Sequence, residues 1–160
     1  MKINLFIYLL SLIASVAQAR AAEQPATTSF YENGSWNGEV TASRWRGINT
    51  SQAWAIGRHT QANAKEACSA RQGSNRTKCI RELIKTPAIE VMANCAEGVA
   101  WRVGEKERYH LSAEAMAGKL QPIEDVAAWT DEMTHRGRWT VGSWFQLLCP
   151  SASKQWHIPE

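Results

Sequence analysis

The stretch that decides the fold runs from Pro87 to Gly104 and reads PAIEVMANCAEGVAWRVG. Segments 89–94 and 99–103 each alternate apolar with more polar residues, and this period of two is typical of half-buried strands. The connection between them ends at Gly98, which can adopt a positive φ and close a hairpin. Arg108–Leu111 is predicted to add a third strand. A two-stranded hairpin is marginal alone, so the attachment point that Cys95 offers at its turn is important for the fold.

Two helices are predicted before this hairpin. Thr60 can cap the first, which is rich in alanine and ends near Gly73. Ser74 can cap the second, whose apolar residues fall on one side, and Pro87 ends it. Upstream, the segment 36–45 alternates like an edge strand, and 53–56 is a short apolar run.

Helices are also predicted after the hairpin. Ser112 can cap a short one that reaches Leu120, and Pro122 can begin another that Gly137 ends. Residues 139–141 are predicted to form a strand or an extended link, and residues 142–149 one to two helical turns. Together these patterns predict a small single α+β domain with a helical hairpin, a short antiparallel sheet and C-terminal helices.

The amino terminus has the features of a secretory signal. Lys2 precedes an apolar run over Ile3–Val16, and Ala17-Gln18-Ala19 places small residues at the cleavage positions. An uncleaved membrane anchor is the alternative, but the run falls short of the ~18–20 apolar residues that a span needs. We therefore predict a signal peptide at 1–21, a disordered spacer at 22–29, a domain at 30–150 and a flexible tail at 151–160. The protein would be periplasmic or secreted, with no stable membrane insertion after cleavage.

The chain contains four cysteines and no CxxC motif. An even number of cysteines in an exported chain predicts disulfides, and four allow three connectivities. We favour Cys68–Cys79, a local pair, and Cys95–Cys149, which would tie the hairpin to the end of the domain. No redox or zinc-ribbon motif is present.

Charge is distributed unevenly along the chain. Residues 31–85 contain nine Lys/Arg and four Asp/Glu, whereas residues 86–160 contain seven and ten. A basic half on an exported protein favours an anionic partner, such as an envelope glycan or an acidic protein surface. The alternative is that the two halves face each other or water.

Eight tryptophans provide the main candidates for binding. Trp can stack on sugar rings or anchor a protein interface. Trp45 lies between Arg44 and Arg46, and Trp36 lies between Ser35 and Asn37. Trp54, Trp101, Trp129 and Trp144 have apolar neighbours and are predicted to be core, while Trp156 is predicted to lie in the tail. The predicted binding residues are Trp36, Arg44, Trp45 and Arg46, together with the basic helix positions Arg76, Lys78 and Arg81.

No motif in the sequence dictates a reaction. It has no HExxH or GxSxG motif and no glycine-rich phosphate loop, so neither a metal nor a cofactor is predicted. The leading hypothesis is an exported, non-catalytic protein that binds an anionic envelope glycan or a protein, which it could inhibit; no nucleic-acid partner is expected. A small envelope-directed hydrolase that pairs His59 or His110 with a carboxylate is one alternative. A structural subunit of an envelope assembly is another.

Overall fold

The protein contains one six-stranded antiparallel sheet. The computed structural model describes residues 24, 25, 27–32, 38–154 and 156. Every strand pairs with the next one along the chain, so the spatial order is the chain order. The strands are β1 Ser29–Tyr31, β2 Glu39–Arg46, β3 Ala53–Arg58, β4 Ile89–Asn94, β5 Val99–Arg102 and β6 Tyr109–His110. The predicted hairpin is therefore its β4–β5 pair, and the 36–45 segment contributes an inner strand, because β1 occupies the edge beside β2.

Five α-helices lie among the described residues: α1 Gln61–Ala67, α2 Gly73–Lys85, α3 Ala113–Met116, α4 His135–Leu148 and α5 Pro150–Ser153. The predicted helical hairpin is α1–α2, inserted between β3 and β4. Thr60 caps α1 as expected: its hydroxyl accepts from the Asn63 backbone N–H, and the Asn63 side chain accepts from the Thr60 N–H. The predicted caps at Thr60 and Ser112 are thus both confirmed. The predicted cap at Ser74 is wrong, because α2 begins at Gly73 after Gln72, which makes no side-chain cap hydrogen bond.

The core lies between the sheet and α4. We call the sheet face that packs against α4 the inner face and the opposite one the outer face. The inner face carries a patch of alanines, with larger side chains such as Phe30, Val91 and Trp45 around it, and α4 supplies large side chains above. The inner-face residues include Ala42, Ala53, Ala55, Ala93 and Ala100, and the helix contributes Val141, Trp144, Phe145 and Leu148.

Both predicted disulfides are present. Cys68–Cys79 joins the end of α1 to α2, and Cys95–Cys149 joins the β4–β5 turn to the end of α4. The second bond closes across the core, where Cys149 is fully buried. The covalent framework therefore follows the sheet–helix packing, and the fold is the predicted small α+β domain.

The helix predicted from Pro122 to Gly137 does not form. Within residues 122–134, only the short 3₁₀ turn Val126–Ala128 is helical. Tertiary hydrogen bonds occupy the carbonyl groups that a helix would use: Arg138 Nε donates to the Ile123 carbonyl, and the Ser112 N–H donates to the Ala128 carbonyl. Since buried backbone groups need a partner, these contacts outweigh the local helical pattern.

The last long helix begins earlier than predicted. Its cap is Thr134, whose hydroxyl accepts from the Gly137 N–H, so Gly137 lies in its first turn and does not end the preceding segment. Residues 139–141, predicted to be extended, are helical. Gly142 lies inside the helix, where an added Cβ would meet Ile123 at 3.4 Å, an ordinary van der Waals distance, so the packing there does not require a glycine.

The two ends of the described chain are more ordered than the sequence suggested. Ser29, placed in the predicted spacer, belongs to β1, and Pro150–Ser153 forms α5. Trp156, predicted to be in a flexible tail, is only 6% exposed and packs edge-on against Phe145. The tail prediction is wrong at that residue, because burying an indole is strongly favourable. The predicted signal peptide lies outside the described residues.

Candidate functional site

The outer face carries a row of large side chains that crosses the sheet. Strand register pairs Arg46 with Trp54, Trp54 with Met92, and Met92 with Trp101. Arg108 continues the row, since its guanidinium lies 4.2 Å from the centre of the Trp101 ring. We call these five residues the outer row. The two tryptophans and the methionine are half-buried and the two arginines exposed, so the row is accessible from solvent.

A β-bulge sets which residues of β2 face outward. The register between β2 and β3 shifts between Ala42 and Arg44, so the extra residue restores an outward orientation to Arg44 and Arg46. Trp45 pairs with Ala55 and packs against the core from the inner face. Arg44 and Arg46 therefore lie on one face and Trp45 on the other. The fourth member of that predicted site, Trp36, lies outside the described residues.

Trp54 and Trp101 were predicted to be core, and that prediction is wrong. Trp129 and Trp144 are core, as expected, at 5% and 3% exposure. Trp54 lies between two alanines whose side chains take the inner face, and Trp101 follows Ala100, which does the same. The strict alternation of small and large residues was the signal: in a strand, the residue beside a core alanine faces away from the core.

Arginine–tryptophan stacking orders both ends of the row. The Arg46 guanidinium lies 5.1 Å from the Trp54 ring centre, which complements the Arg108–Trp101 pair. Such cation–π contacts contribute about 0.5–1 kcal/mol at exposed sites. Beside the Arg46 end is an open cavity of about 350 Å³, lined by Arg46, Gly47, Thr50, Gln52 and Met92. This end therefore combines a concave surface with a fixed positive charge.

Positive charge extends beyond the row. In the adjacent register position Arg44 pairs with Ile56, which pairs with Glu90. Glu90 accepts a hydrogen bond from the Trp54 indole N–H at 3.3 Å. This bond fixes the orientation of the indole and occupies the Glu90 carboxylate. Arg44 itself is exposed to solvent.

The other predicted binding residues, Arg76, Lys78 and Arg81, lie on α2. All three are exposed, and Lys78 is 3.9 Å from Glu82 one turn further on. Because α2 packs against α1, and α1 against β2, these residues form a second basic surface and do not join the outer row. The structure thus separates the predicted site into two surfaces.

A second cavity of about 280 Å³ opens where α4 begins, on the inner side of the sheet. A chain of charged groups crosses it: His59 Nε2 lies 3.1 Å from Glu32, Glu32 lies 3.4 Å from Arg102, and Arg102 lies 3.5 Å from Glu105. Tyr109 lines the same cavity; burial, and secondarily the nearby Glu107 and Glu105, raise the pKa of its hydroxyl. Glu32 and Glu105 are both bound to Arg102, and Glu107 accepts a hydrogen bond from the Tyr109 hydroxyl, so these three carboxylates already have partners.

Both histidines proposed for a hydrolase have a carboxylate neighbour. The His59 side chain is 1% exposed, and its two ring nitrogens face the Glu39 carbonyl oxygen and the Glu32 carboxylate. It has no free nitrogen to offer a substrate, so its role is structural. His110 Nδ1 lies 3.1 Å from Asp131 at the surface, and His110 lines neither cavity described above.

The described part of the chain holds no group of three or more His, Cys, Asp or Glu residues placed to bind a metal ion. None of its helices is both long and apolar enough to span a bilayer. No protein-family model, curated protein or solved structure matches this chain significantly. The candidate site therefore has to be interpreted from its own chemistry.

Proposed function

We propose that this protein is an exported binding protein that holds an anionic envelope glycan across the outer row. The observation that carries the proposal is the outer row itself: two half-exposed tryptophans aligned across three strands, with an exposed arginine stacked at each end. Half-exposed indoles give flat apolar surfaces for sugar rings, and the arginines complement carboxylate or phosphate groups.

Charge and shape favour a glycan over the alternatives. Within the outer row and the register position beside it, Arg44 and Arg46 face one carboxylate, Glu90, which is already bound to Trp54. An open surface of this kind suits an extended polymer, whereas a hydrolase needs its acid and base in a cleft. Export is supported by the amino-terminal sequence and by the two disulfides, which form in oxidising compartments.

The test compares two charge-bearing surfaces of the same molecule. Affinity for polygalacturonate, a soluble acidic glycan, would be measured by calorimetry at low and high salt, with dextran as the neutral polymer. Trp54→Ala/Trp101→Ala is expected to weaken binding about tenfold or more, because truncating an aromatic anchor costs more than 1 kcal/mol. Arg76→Ala/Arg81→Ala on α2 is the matched control and should bind almost like wild type.

Circular dichroism would verify that the tryptophan variant is folded. Unchanged binding by the folded tryptophan variant, with loss of binding in the α2 variant, would move the site to α2. Binding of polyglutamate but not of polygalacturonate would instead indicate an acidic protein partner and contradict the glycan proposal.

A further inference from the structure

The two stacked arginines differ from the other arginines whose contacts are defined. Arg102 is held by Glu32 and Glu105, and Arg138 by two backbone carbonyls. Arg46 and Arg108 make no ion pair within the described residues, and each instead lies over an indole ring. Their positive charges are thus fixed in position but not neutralised.

Stacking leaves the hydrogen-bonding edge of a guanidinium free. Its N–H donors lie in the plane of the group, whereas contact with an aromatic ring uses the flat face. A stacked arginine is therefore already oriented to form two parallel hydrogen bonds to one carboxylate or phosphate. Less side-chain entropy is lost on binding than for a free surface arginine.

The two arginines lie at opposite ends of the outer row. Arg46 is at the end of β2, and Arg108 immediately precedes β6. Counted along the sheet, four strand spacings of about 4.8 Å, roughly 19 Å in all, separate their backbones. The indole rings that they stack on belong to strands two spacings, or roughly 10 Å, apart. One small anion cannot contact both, but a polymer with repeated anionic groups can.

We infer that the outer row is a bivalent oxyanion clamp, in which carboxylate or phosphate groups of a single extended polyanion engage Arg46 and Arg108 at the same time. This inference rests on the proposed function. Binding the first anion raises the local concentration of the second near its own arginine, so affinity should rise sharply once the ligand spans the row.

The experiment is a ligand-length series. Oligogalacturonates shorter and longer than the row, and linear polyphosphates of matching lengths, would be titrated into the full-length mature protein. We expect the longer oligomers to bind at least about tenfold more tightly than the shorter ones in the series that carries the preferred anion. A jump in either series supports the clamp and identifies the anion.

Arginine-to-lysine variants then distinguish the effect of the paired hydrogen bonds from the effect of positive charge alone. Arg46→Lys or Arg108→Lys keeps the charge but loses the paired hydrogen bonds, so each should reduce the affinity for a long oligomer to near that for a short one. Arg44→Lys is the matched control: it is on the same strand and face and should retain the length dependence. If short and long oligomers bind equally in both series, the clamp is overturned. The proposed function fails on the separate test above, if Trp54→Ala/Trp101→Ala binds polygalacturonate normally or if the protein binds polyglutamate instead.

Discussion

The two faces of the sheet carry different side chains at neighbouring positions of β3, β4 and β5. Beneath α4 the strands present alanines, because the helix supplies the volume that fills the core. On the outer face the same strands present Trp54, Met92 and Trp101, which are only half-buried. Large apolar side chains that the core does not enclose add less to stability than buried ones. This difference is the reason that the outer face, with its half-buried large side chains, is the candidate binding surface.

We expect the largest difference in the free energy of unfolding between two substitutions, one in the core between α4 and the sheet and one on the outer face. Phe145→Ala empties a fully buried position and should lower the free energy of unfolding by about 3–5 kcal/mol. Trp101→Ala on the outer face should cost less than half as much, since its ring is already partly in water. Urea denaturation would measure both. Equal losses would mean that the outer row is a second core and not a free surface.

The Cys68–Cys79 disulfide allows a second comparison, between the helical hairpin α1–α2 and the sheet. Replacing both cysteines of the Cys68–Cys79 bond by alanine should cost about 3 kcal/mol at most in the chain-entropy model, for a sequence separation of 11. The loss should be local, because Cys79 is the buried residue of α2. Hydrogen exchange is expected to accelerate in α1 and α2 while β3 and β4 stay protected. Equally accelerated exchange in the sheet would show that the helical hairpin is part of the core.

A smaller effect of opposite sign is expected in α4. The Thr140 hydroxyl is buried and finds no hydrogen-bond partner among the described residues, so Thr140→Val should stabilise the protein by about 1 kcal/mol. Ser143→Ala is the control, because that hydroxyl accepts from the Tyr31 N–H and donates to the Thr140 carbonyl; it should destabilise. Thermal melts would report both, and a loss of stability in Thr140→Val would show that its hydroxyl has a partner.

The smallest effect concerns alkaline pH. Burial raises the pKa of Tyr31 and of Tyr109 above 10, with Glu39 and Glu107 respectively adding to it. The folded state therefore retains these protons longer than the unfolded state. Stability should be fully present below about pH 10 and fall as the pH rises through the folded-state values. Tyr31→Phe/Tyr109→Phe should flatten this fall in melts between pH 9 and 11; an unchanged slope would assign it to other groups.

The sequence predicted the local features of the fold well. The β4–β5 hairpin, the cap at Thr60 and the two disulfide pairs all depend on nearby residues or on a simple choice among pairings. What it could not predict depends on distant contacts. The segment after Pro122 is not helical because its carbonyl groups accept hydrogen bonds from Arg138 and Ser112. No local sequence pattern predicts those partners.

The candidate site shows the same limit. Arg44 and Arg46 were identified from sequence, but the bulge that turns Trp45 away from them was not. Trp101 and Arg108 are brought together by a turn that the sequence does indicate, yet their stacking depends on the register of β5 with β6. Alternation assigns a residue to a face, whereas register decides which residues on that face become neighbours.

The contacts between β1 and α4 have a consequence for how the chain is made. The Tyr31 N–H donates to Ser143 Oγ and the Trp144 indole N–H donates to the Tyr31 carbonyl, each at 2.9 Å and more than a hundred residues apart in sequence. Because β1 precedes α4 along the chain, the strands can pair before α4 is available, while the alanine-lined face stays bare. The sheet thus lacks the helix that covers its inner face until α4 is synthesised, and a chain truncated before His135 would have all six strands and no α4 to cover them.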